Sequence, residues 1–225
     1  MKLKTFLLCL LMFLVGAGAG ILVSGVLGAS AEETGAPKVT EPVLTVNTEK
    51  NVSDVQESEN LGFLRFADSV LKTLRGKDYE ALSAFVHPEK GLLFVPYSTV
   101  NTTANLRFTS DEIAALKGDD KKRVWGIYDG SGEPIELTVA EYFDKFVYNA
   151  DYLNAPQVGI NSILYSGNSL ENVTEAFPEA SFVEYHFKGF DPQYEGLDWC
   201  SLKVVAEKLN GEWKLIALIH SQWTI

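Results

Sequence analysis

The fold of this chain is decided by its last stretch, residues 198–225, which reads DWCSLKVVAEKLNGEWKLIALIHSQWTI. The pattern predicts two strands, Trp199–Lys208 and Glu212–Ile225, joined at Asn210 and Gly211. Asn-Gly between two apolar runs is the strongest short hairpin signal, because both turn residues take a positive φ. We therefore expect an antiparallel hairpin at this end of the chain.

The second strand of this hairpin alternates between two sets of residues. One face carries Trp213, Leu215, Ala217, Ile219, Ser221, Trp223 and Ile225, and the other carries Lys214, Ile216, Leu218, His220, Gln222 and Thr224. Both sets are apolar through the middle, which predicts a central strand covered on both sides. The second face becomes polar at His220 and Gln222. A covered sheet with polar groups at one end suggests a cone with a pocket.

The first 31 residues have the composition of an export signal. Lys2 and Lys4 precede an uncharged apolar run, and Ala29-Ser30-Ala31 matches the small-residue pattern of a cleavage site. The run is also long enough for an uncleaved membrane anchor. Under either interpretation residues 1–31 are a signal peptide or membrane anchor. The rest is extracytoplasmic, either secreted or anchored to the outer face of the cytoplasmic membrane.

Residues 32–57 predict a disordered linker. Pro37 and Pro42 lie among scattered polar residues, and the isolated valines keep no period. We place the start of the folded domain near Ser58, so that the domain covers residues 58–225.

Charge and cysteine content exclude several classes of function. The formal net charge of −11 argues against nucleic acid, which requires a basic patch, and against anionic lipid headgroups. We therefore expect contact with a membrane only through residues 1–31. Cys9 lies in the exported segment and Cys200 stands alone, so after cleavage no intramolecular disulfide forms. We expect no cofactor and no metal ion.

The remaining elements predict an α+β domain. Their order is a helix from Ser58 to Gly76, a helix Asp78–Val86, a strand Gly91–Tyr97, a helical turn from Ser110, a hairpin turned at Asp129–Glu133, a helix Thr138–Tyr148, a strand Ile163–Tyr165, a short helix Ser169–Phe177 and a strand Ser181–Phe187, all before the final hairpin. A curved antiparallel sheet packed on N-terminal helices accommodates this order.

This element order, with Gly-x-Trp-Lys-Leu at 211–215, resembles the NTF2-like (SnoaL-like) α+β domain, a curved sheet that encloses a cavity. Four strings also resemble an uncharacterised family of exported bacterial proteins: HPEKG at 87–91, YDGSGEP at 128–134, GFDPQY at 189–194 and HSQWTI at 220–225. The resemblance implies a cone-shaped cavity and implies no activity.

Three residues are candidates for catalysis. Glu184 and His186 share one face of the strand Ser181–Phe187. If that face also holds His220 of the last strand, a carboxylate and two imidazoles meet in one wall and can transfer protons. The alternative interpretation is a set of packed core residues. For binding, the candidates are Gln222 on the last strand and the aromatic rings of Tyr194 and Trp199, which suit a sugar or a peptide.

No complete catalytic triad, metal set or phosphate loop is visible in the sequence. We therefore expect an exported, non-catalytic ligand-binding or protein-interaction module of the bacterial cell envelope, whose partner is a small molecule or an envelope protein. A homodimer is left open. The alternative is a small hydrolase or isomerase that uses the His/Glu pair in the cavity.

Overall fold

The computed structural model describes residues 48–224, with side-chain exposure from residue 54. The predicted signal or anchor segment, 1–31, and the predicted linker as far as residue 47 lie outside this range. Within 48–224, no helix combines the length and the hydropathy that a membrane crossing requires.

Helices and strands are mixed along the chain, which confirms the predicted α+β class. The helices are α1 (Thr48–Gly76), α2 (Tyr79–Ser83), α3 (Ser110–Ala114), α4 (Val139–Tyr142) and α5 (Val173–Ala176), with a π-helical turn at Phe143–Val147 and 3-10 turns at Tyr152–Asn154 and Pro192–Tyr194. The strands are β1 (Leu92–Val95), β2 (Leu106–Phe108), β3 (Arg123–Ile127), β4 (Pro134–Leu137), β5 (Gln157–Ile160), β6 (Ser181–Phe187), β7 (Cys200–Leu209) and β8 (Glu212–Gln222).

The β7–β8 hairpin forms the middle of a curved six-stranded sheet, in the order β2-β1-β8-β7-β6-β5. Its turn residues Asn210 and Gly211 have φ angles of 52° and 84°, as the Asn-Gly signal predicts. All neighbours pair antiparallel except β1 and β8, which are parallel, so the sheet is mixed and the expected wholly antiparallel sheet is wrong at this pair. β8 is therefore a central strand, as expected. β3 and β4 form a separate two-stranded sheet.

A β-bulge changes the two faces of β8 from those predicted. Leu215 and Ala217 pair with successive residues of β7, so Ile216 is an extra residue with no partner opposite. One extra residue moves every later side chain to the other face. Leu215 consequently shares a face with Leu218 and His220, whereas Ile216 packs on the opposite side with Ala217. The uninterrupted alternation expected for this strand is wrong.

The face of the sheet that packs against α1 is called the inner face. α1 presents to it an apolar stripe with helical spacing: Phe63, Ala67, Val70, Leu71 and Leu74, all buried. The helix starts at Thr48, inside the segment expected to be linker, and residues 54–59 are exposed. The domain start predicted at Ser58 therefore falls within a helix.

Aromatic rings fill the space above the inner face. Trp125 of β3 stacks on Tyr142 of α4 with centroids 3.9 Å apart and 10° between planes. Phe94 of β1 meets both rings edge-on, at 5.6 and 6.0 Å. Trp125 is fully buried. Where the resemblance to a cone implied a cavity, this part of the inner face is a packed aromatic core.

The opposite, outer face of the sheet is covered by residues 161–180, which we call the strap. Asn172 of the strap accepts a hydrogen bond from the Val100 N–H (2.7 Å) and donates one to the Val100 carbonyl (3.1 Å). Only α5 is helical in the strap. The predicted strand Ile163–Tyr165 is therefore wrong. The helix predicted for Ser169–Phe177 forms only at Val173–Ala176, and the expectation that both faces are covered is confirmed.

Candidate functional site

The three candidate catalytic residues lie on two different faces of the sheet. Glu184 pairs with Lys203 of β7, and His220 pairs with Leu202. Residues directly opposite in a sheet share a face, and neighbours along a strand alternate. Glu184 and His186 therefore lie on the outer face with Lys203, and His220 lies on the inner face. The predicted wall of two imidazoles and one carboxylate does not exist.

His220 is fully buried in the aromatic core. Its Nδ1 lies 3.1 Å from the Pro96 carbonyl and donates to it, and its ring meets Phe146 edge-on at 5.6 Å. Its Nε2 has no hydrogen-bond partner among the described residues. Burial lowers the pKa of His220 to about 4, against a weaker opposite effect of the Pro96 carbonyl. The ring is neutral at pH 7 and serves as a core residue.

Glu184 is also fully buried, on the other face. Its Oε2 accepts a hydrogen bond from the Leu164 N–H of the strap at 2.9 Å. Its Oε1 lies 3.7 Å from Lys203 Nζ and has no hydrogen-bond partner in the described part of the chain. Burial raises the pKa of Glu184, and the nearby Lys203 partly opposes this. The strap therefore covers a carboxylate whose negative charge is balanced only in part by Lys203 and the Leu164 N–H.

Lys203 is the centre of a buried polar cluster on the outer face. Its Nζ lies 2.6 Å from Glu171 Oε2 and donates to Ser221 Oγ at 3.4 Å. Ser98 Oγ in turn donates to Ser221 Oγ at 2.9 Å. Lysine beside serine is an arrangement that can activate a hydroxyl nucleophile. Here Lys203 and Ser221 are 0% and 1% exposed, so the strap keeps solutes away from both.

His186 has a structural environment as well. Its Nδ1 lies 2.8 Å from Ser201 Oγ, and its ring stacks on Tyr165 of the strap at 5.4 Å and 13°. Burial lowers the pKa of His186, with smaller contributions in the same direction from Lys188 and Lys203. Glu184, His186 and His220 are all buried and do not lie together on one face. These three residues therefore do not form the catalytic site that the alternative function, a hydrolase or isomerase, required.

Of the three candidate ligand-binding residues, only Tyr194 is exposed. Trp199 is 3% exposed and packs against Tyr165, with ring centroids 4.7 Å apart. A Cβ at Gly167 would lie 2.8 Å from the Trp199 ring, so a glycine is required there for the strap to close. Tyr194 is 52% exposed in the β6–β7 loop that ends at Trp199, and Gln222 is half-buried at the end of β8. Trp199 is therefore a packing residue.

The remaining histidine, His87, fixes a turn after α2. Its Nδ1 accepts hydrogen bonds from the backbone N–H groups of Glu89 and Lys90, both at 3.1 Å. Its Nε2 lies 3.1 Å from Glu207 Oε1. His87 therefore has a structural role in this turn. Lys90 and Glu207 also line a depression of about 530 Å³.

A larger groove, of about 720 Å³, lies between the end of β1, the β3–β4 hairpin and the strap. It is lined by Pro96, Tyr97, Thr99, Asn101, Ala104, Asn105, Gly126, Ile127, Tyr128, Asp129, Gly130, Gly132, Asn168, Ser169 and Leu170. Small-molecule sites usually have volumes between about 300 and 1,000 Å³. The groove is thus large enough for a ligand of two or three rings.

The groove offers several polar groups that the protein itself does not use. Asn101 and Asn105 accept hydrogen bonds through Oδ1, from Thr103 and Asn101 N–H groups respectively. Their Nδ2 groups make no hydrogen bond with the described residues. Asn168 conversely donates through Nδ2 to the Thr224 carbonyl at 2.9 Å, which leaves its Oδ1 available. Three asparagines that line the groove therefore keep two amide donors and one amide acceptor without a partner among the described residues.

Asp129 places a fixed negative charge in this groove. Its Oδ2 accepts a hydrogen bond from Ser169 Oγ at 2.6 Å, and its Oδ1 accepts one from the Gly130 N–H at 3.1 Å. The hydrogen bond from Ser169, followed by one from Thr224, lowers the pKa of Asp129. The same bond joins the β3–β4 hairpin to the strap across one end of the groove.

Two tyrosines give the groove its aromatic surface. Tyr97 and Tyr128 are both half-buried, and each packs on Phe146 beneath, at 5.7 and 6.4 Å. Lys145 donates to the Tyr128 hydroxyl at 3.0 Å and lies 4.4 Å from the ring centroid. Burial raises the pKa of Tyr97. The Tyr97 phenol therefore stays protonated at neutral pH, and both tyrosine hydroxyl groups can donate or accept hydrogen bonds.

The sequence patterns do not predict this groove. They correctly predict the hairpin turn at Asp129–Glu133, which joins β3 and β4, and between β1 and this hairpin they predict only a helical turn from Ser110. A signal was present in the asparagines at 101, 105 and 168 and in the tyrosines at 97 and 128. Nothing local indicated that three distant segments would meet. Within residues 48–224, no group of three or more His, Cys, Asp or Glu side chains is arranged to hold a metal ion.

Comparison of the chain with protein-family profiles gives no match, and comparison with curated proteins gives none. Solved structures of low similarity do match. An NTF2-like protein of unknown function from Shewanella oneidensis is 13% identical, with 73% of this chain and 99% of that chain covered and a TM-score of 0.33. One from Shewanella baltica is 9% identical, covers 76% and 97%, and has a TM-score of 0.31.

A third structure, a calcium/calmodulin-dependent protein kinase II association domain from Xanthomonas campestris described as putative, is 11% identical over 69% of this chain and 81% of that chain, with a TM-score of 0.29. Two of the three are described as NTF2-like. We take neither ligand nor activity from any of them. On its own geometry the domain is an α+β protein with one curved sheet, packed on helices on one face and on the strap on the other.

Proposed function

We propose that this chain is an exported, non-catalytic ligand-binding module of the bacterial cell envelope, and that its groove binds a neutral, polyhydroxylated small molecule of the saccharide class. The observation that carries the proposal is the lining of the groove. Tyrosine rings, unused amide donors and an ionised carboxylate meet there in one site of about 720 Å³.

Each of these groups suits a sugar ring. The apolar C–H face of a pyranose packs on an aromatic ring such as Tyr97 or Tyr128. Its hydroxyl groups accept hydrogen bonds from Asn101 and Asn105 and donate to the Asp129 carboxylate, and a bond to a charged acceptor is the strongest of these. The export expectation supports the same class, since envelope glycans lie on that side of the membrane. Residues 1–31 carry that part of the proposal.

The test is an NMR titration of the full domain with glucose oligomers and N-acetylglucosamine oligomers. We expect amide shifts confined to the groove, at Asn101, Asn105, Tyr128 and Gly130. Asn105→Ala should weaken binding about tenfold, since one lost hydrogen bond is worth about 1.4 kcal/mol. Thr102→Ala is the control, because Thr102 lines the other depression. Its affinity should be unchanged.

Two results would reject the proposal. One is the absence of a saturable shift at any residue with every oligomer. The other is a set of shifts centred on Lys90 and Arg107, which line the second depression and not the groove.

A further inference from the structure

A loop on another part of the domain exposes three large apolar side chains. Phe190, Tyr194 and Leu197, between β6 and β7, are 58%, 52% and 52% exposed. Single exposed apolar residues are ordinary on protein surfaces, but here three fall within eight residues of one loop, and clusters of exposed apolar side chains mark interaction sites. We call residues 189–198 the apolar loop.

The two ends of the apolar loop are in contact. Gly189 and Gly196 have φ angles of 145° and 84°. A Cβ on Gly189 would lie 3.1 Å from the Gly196 Cα and 2.6 Å from Asp198 Oδ1. No other residue type fits at Gly189 without displacing the backbone or the Asp198 carboxylate. The backbone of the apolar loop therefore closes on itself where Gly189 meets Gly196.

Hydrogen bonds fix the conformation within the loop. Asp198 Oδ2 accepts from the N–H groups of Phe190 and Asp191, at 2.9 and 2.8 Å. Asp191 accepts from both the backbone N–H and the side chain of Gln193, at 2.9 and 2.6 Å. Phe190 also stacks on Phe187 of β6 at 5.1 Å. Because the backbone is already ordered, binding through this loop costs little conformational entropy.

The charges around the patch restrict what it binds. Asp191 and Glu195 are exposed on either side of Tyr194, and Lys188 is the one cation between residues 187 and 198. A symmetric contact between two copies would bring these acids against each other, in a chain whose net charge is −11. Anionic lipid headgroups would be repelled in the same way. The complementary surface is apolar with a basic border.

We propose that the apolar loop docks on a different protein, in an apolar cleft bordered by lysine or arginine side chains. This interaction surface is separate from the groove and does not depend on its ligand. It has the features of binding hot spots, in which a rigid aromatic anchor enters a pocket and charges at the rim guide the approach.

The first experiment replaces Tyr194 with the photoreactive amino acid p-benzoylphenylalanine in the full chain, made in the organism that encodes it. Tyr165, 48% exposed but in the strap, receives the same substitution as the matched control. After irradiation, the cross-linked peptide is sequenced by mass spectrometry. We expect a protein adduct from position 194 alone, at a segment with apolar residues between lysines or arginines.

Every other outcome overturns the proposal. An adduct only with the same chain assigns the loop to a homodimer, and an adduct only with lipid assigns it to the membrane. Equal adducts from Tyr194 and Tyr165, or none from either, show that the loop has no specific partner.

The second experiment measures affinity for the partner identified in the first. Phe190→Ala should weaken binding by about 30-fold or more, as expected for a hot-spot side chain. Val158→Ala, which removes a side chain 45% exposed on β5, should change it less than twofold. Asp191→Asn with Glu195→Gln should slow association and reduce its dependence on salt. Equal effects of Phe190→Ala and Val158→Ala would contradict docking through the loop.

Discussion

His220 makes the domain sensitive to acid, and His220→Asn should remove that sensitivity. Folding lowers the pKa of this histidine from 6.5 to about 4 because its ring is fully buried. The unfolded chain therefore binds a proton that the folded chain excludes, and stability present above pH 6.5 is lost as the pH falls towards 4. At about 1.4 kcal/mol per pH unit of difference in pKa, the loss is about 2 kcal/mol between pH 7 and 5 and about 3 kcal/mol by pH 4. Asparagine does not titrate, and its amide can still donate to the Pro96 carbonyl.

The assay is urea unfolding of wild type and variant at pH 7, 6, 5 and 4, followed by tryptophan fluorescence. We expect the difference in unfolding free energy between the two proteins to shrink by about 2 kcal/mol from pH 7 to pH 5. Leu218→Ala is the control, because it damages the same core and leaves every titrating group in place. It should be destabilised equally at each pH. Parallel stability curves for wild type and His220→Asn would refute the reasoning, since His220 would then titrate alike in both states.

Three further predictions concern the sheet and the strap, and each is checked by urea unfolding. Lys203→Met should lower the free energy of unfolding by about 3–5 kcal/mol, because it leaves Glu171 and Glu184 buried without a cation. Adding Glu171→Met and Glu184→Gln should restore most of this loss. No recovery in the triple variant would contradict this account. Leu215→Ala should cost about 2–5 kcal/mol, since the side chain is fully buried, and a change under about 1 kcal/mol would mean that the strand is misplaced. Gly211→Val should lower the free energy of unfolding by about 1–2 kcal/mol. Only the positive φ of residue 211 causes this loss, because no atom lies within 4 Å of the added Cβ. An unchanged urea midpoint would show that the turn readily relaxes.

Local signals in the sequence predict the fold well where they are strong. Asn210-Gly211 predicts the turn, and the apolar stripe of α1 predicts the helix that packs on the inner face. The π-helical turn after α4 and the β-bulge at Ile216 have no comparable signal. The bulge arises where β8 pairs with β7 on one side and with β1 on the other. The sequence of one strand does not show which strands it pairs with, so the bulge could not be predicted.

The prediction that Glu184, His186 and His220 share one face is wrong for a related reason. Alternation along β6 correctly puts Glu184 and His186 on one face. Which residues of β8 join that face depends on the register of two further strand pairs, and register is specified by long-range packing. Ser221, in place of His220, is the residue that the register brings to the outer face. An error of one position replaces an imidazole with a hydroxyl, so the strand can be predicted while the chemistry of its face is wrong.

The groove depends even more on distant contacts, because the strap has almost no regular structure to hold it. Five consecutive strap residues are fixed instead by side-chain hydrogen bonds to separate parts of the domain. The pairs are Asn168 with Thr224 O (2.9 Å), Ser169 with Asp129 (2.6 Å), Leu170 O with Thr99 (2.8 Å), Glu171 with Lys203 (2.6 Å) and Asn172 with the Val100 N–H (2.7 Å). Three of the five residues line the groove, and the next one along the chain ends in the buried pair with Lys203. These bonds link the strap to the segment after β1, the β3–β4 hairpin, β7 and the segment after β8. We therefore expect a ligand that orders the wall of the groove further to slow amide hydrogen exchange in the strap as well.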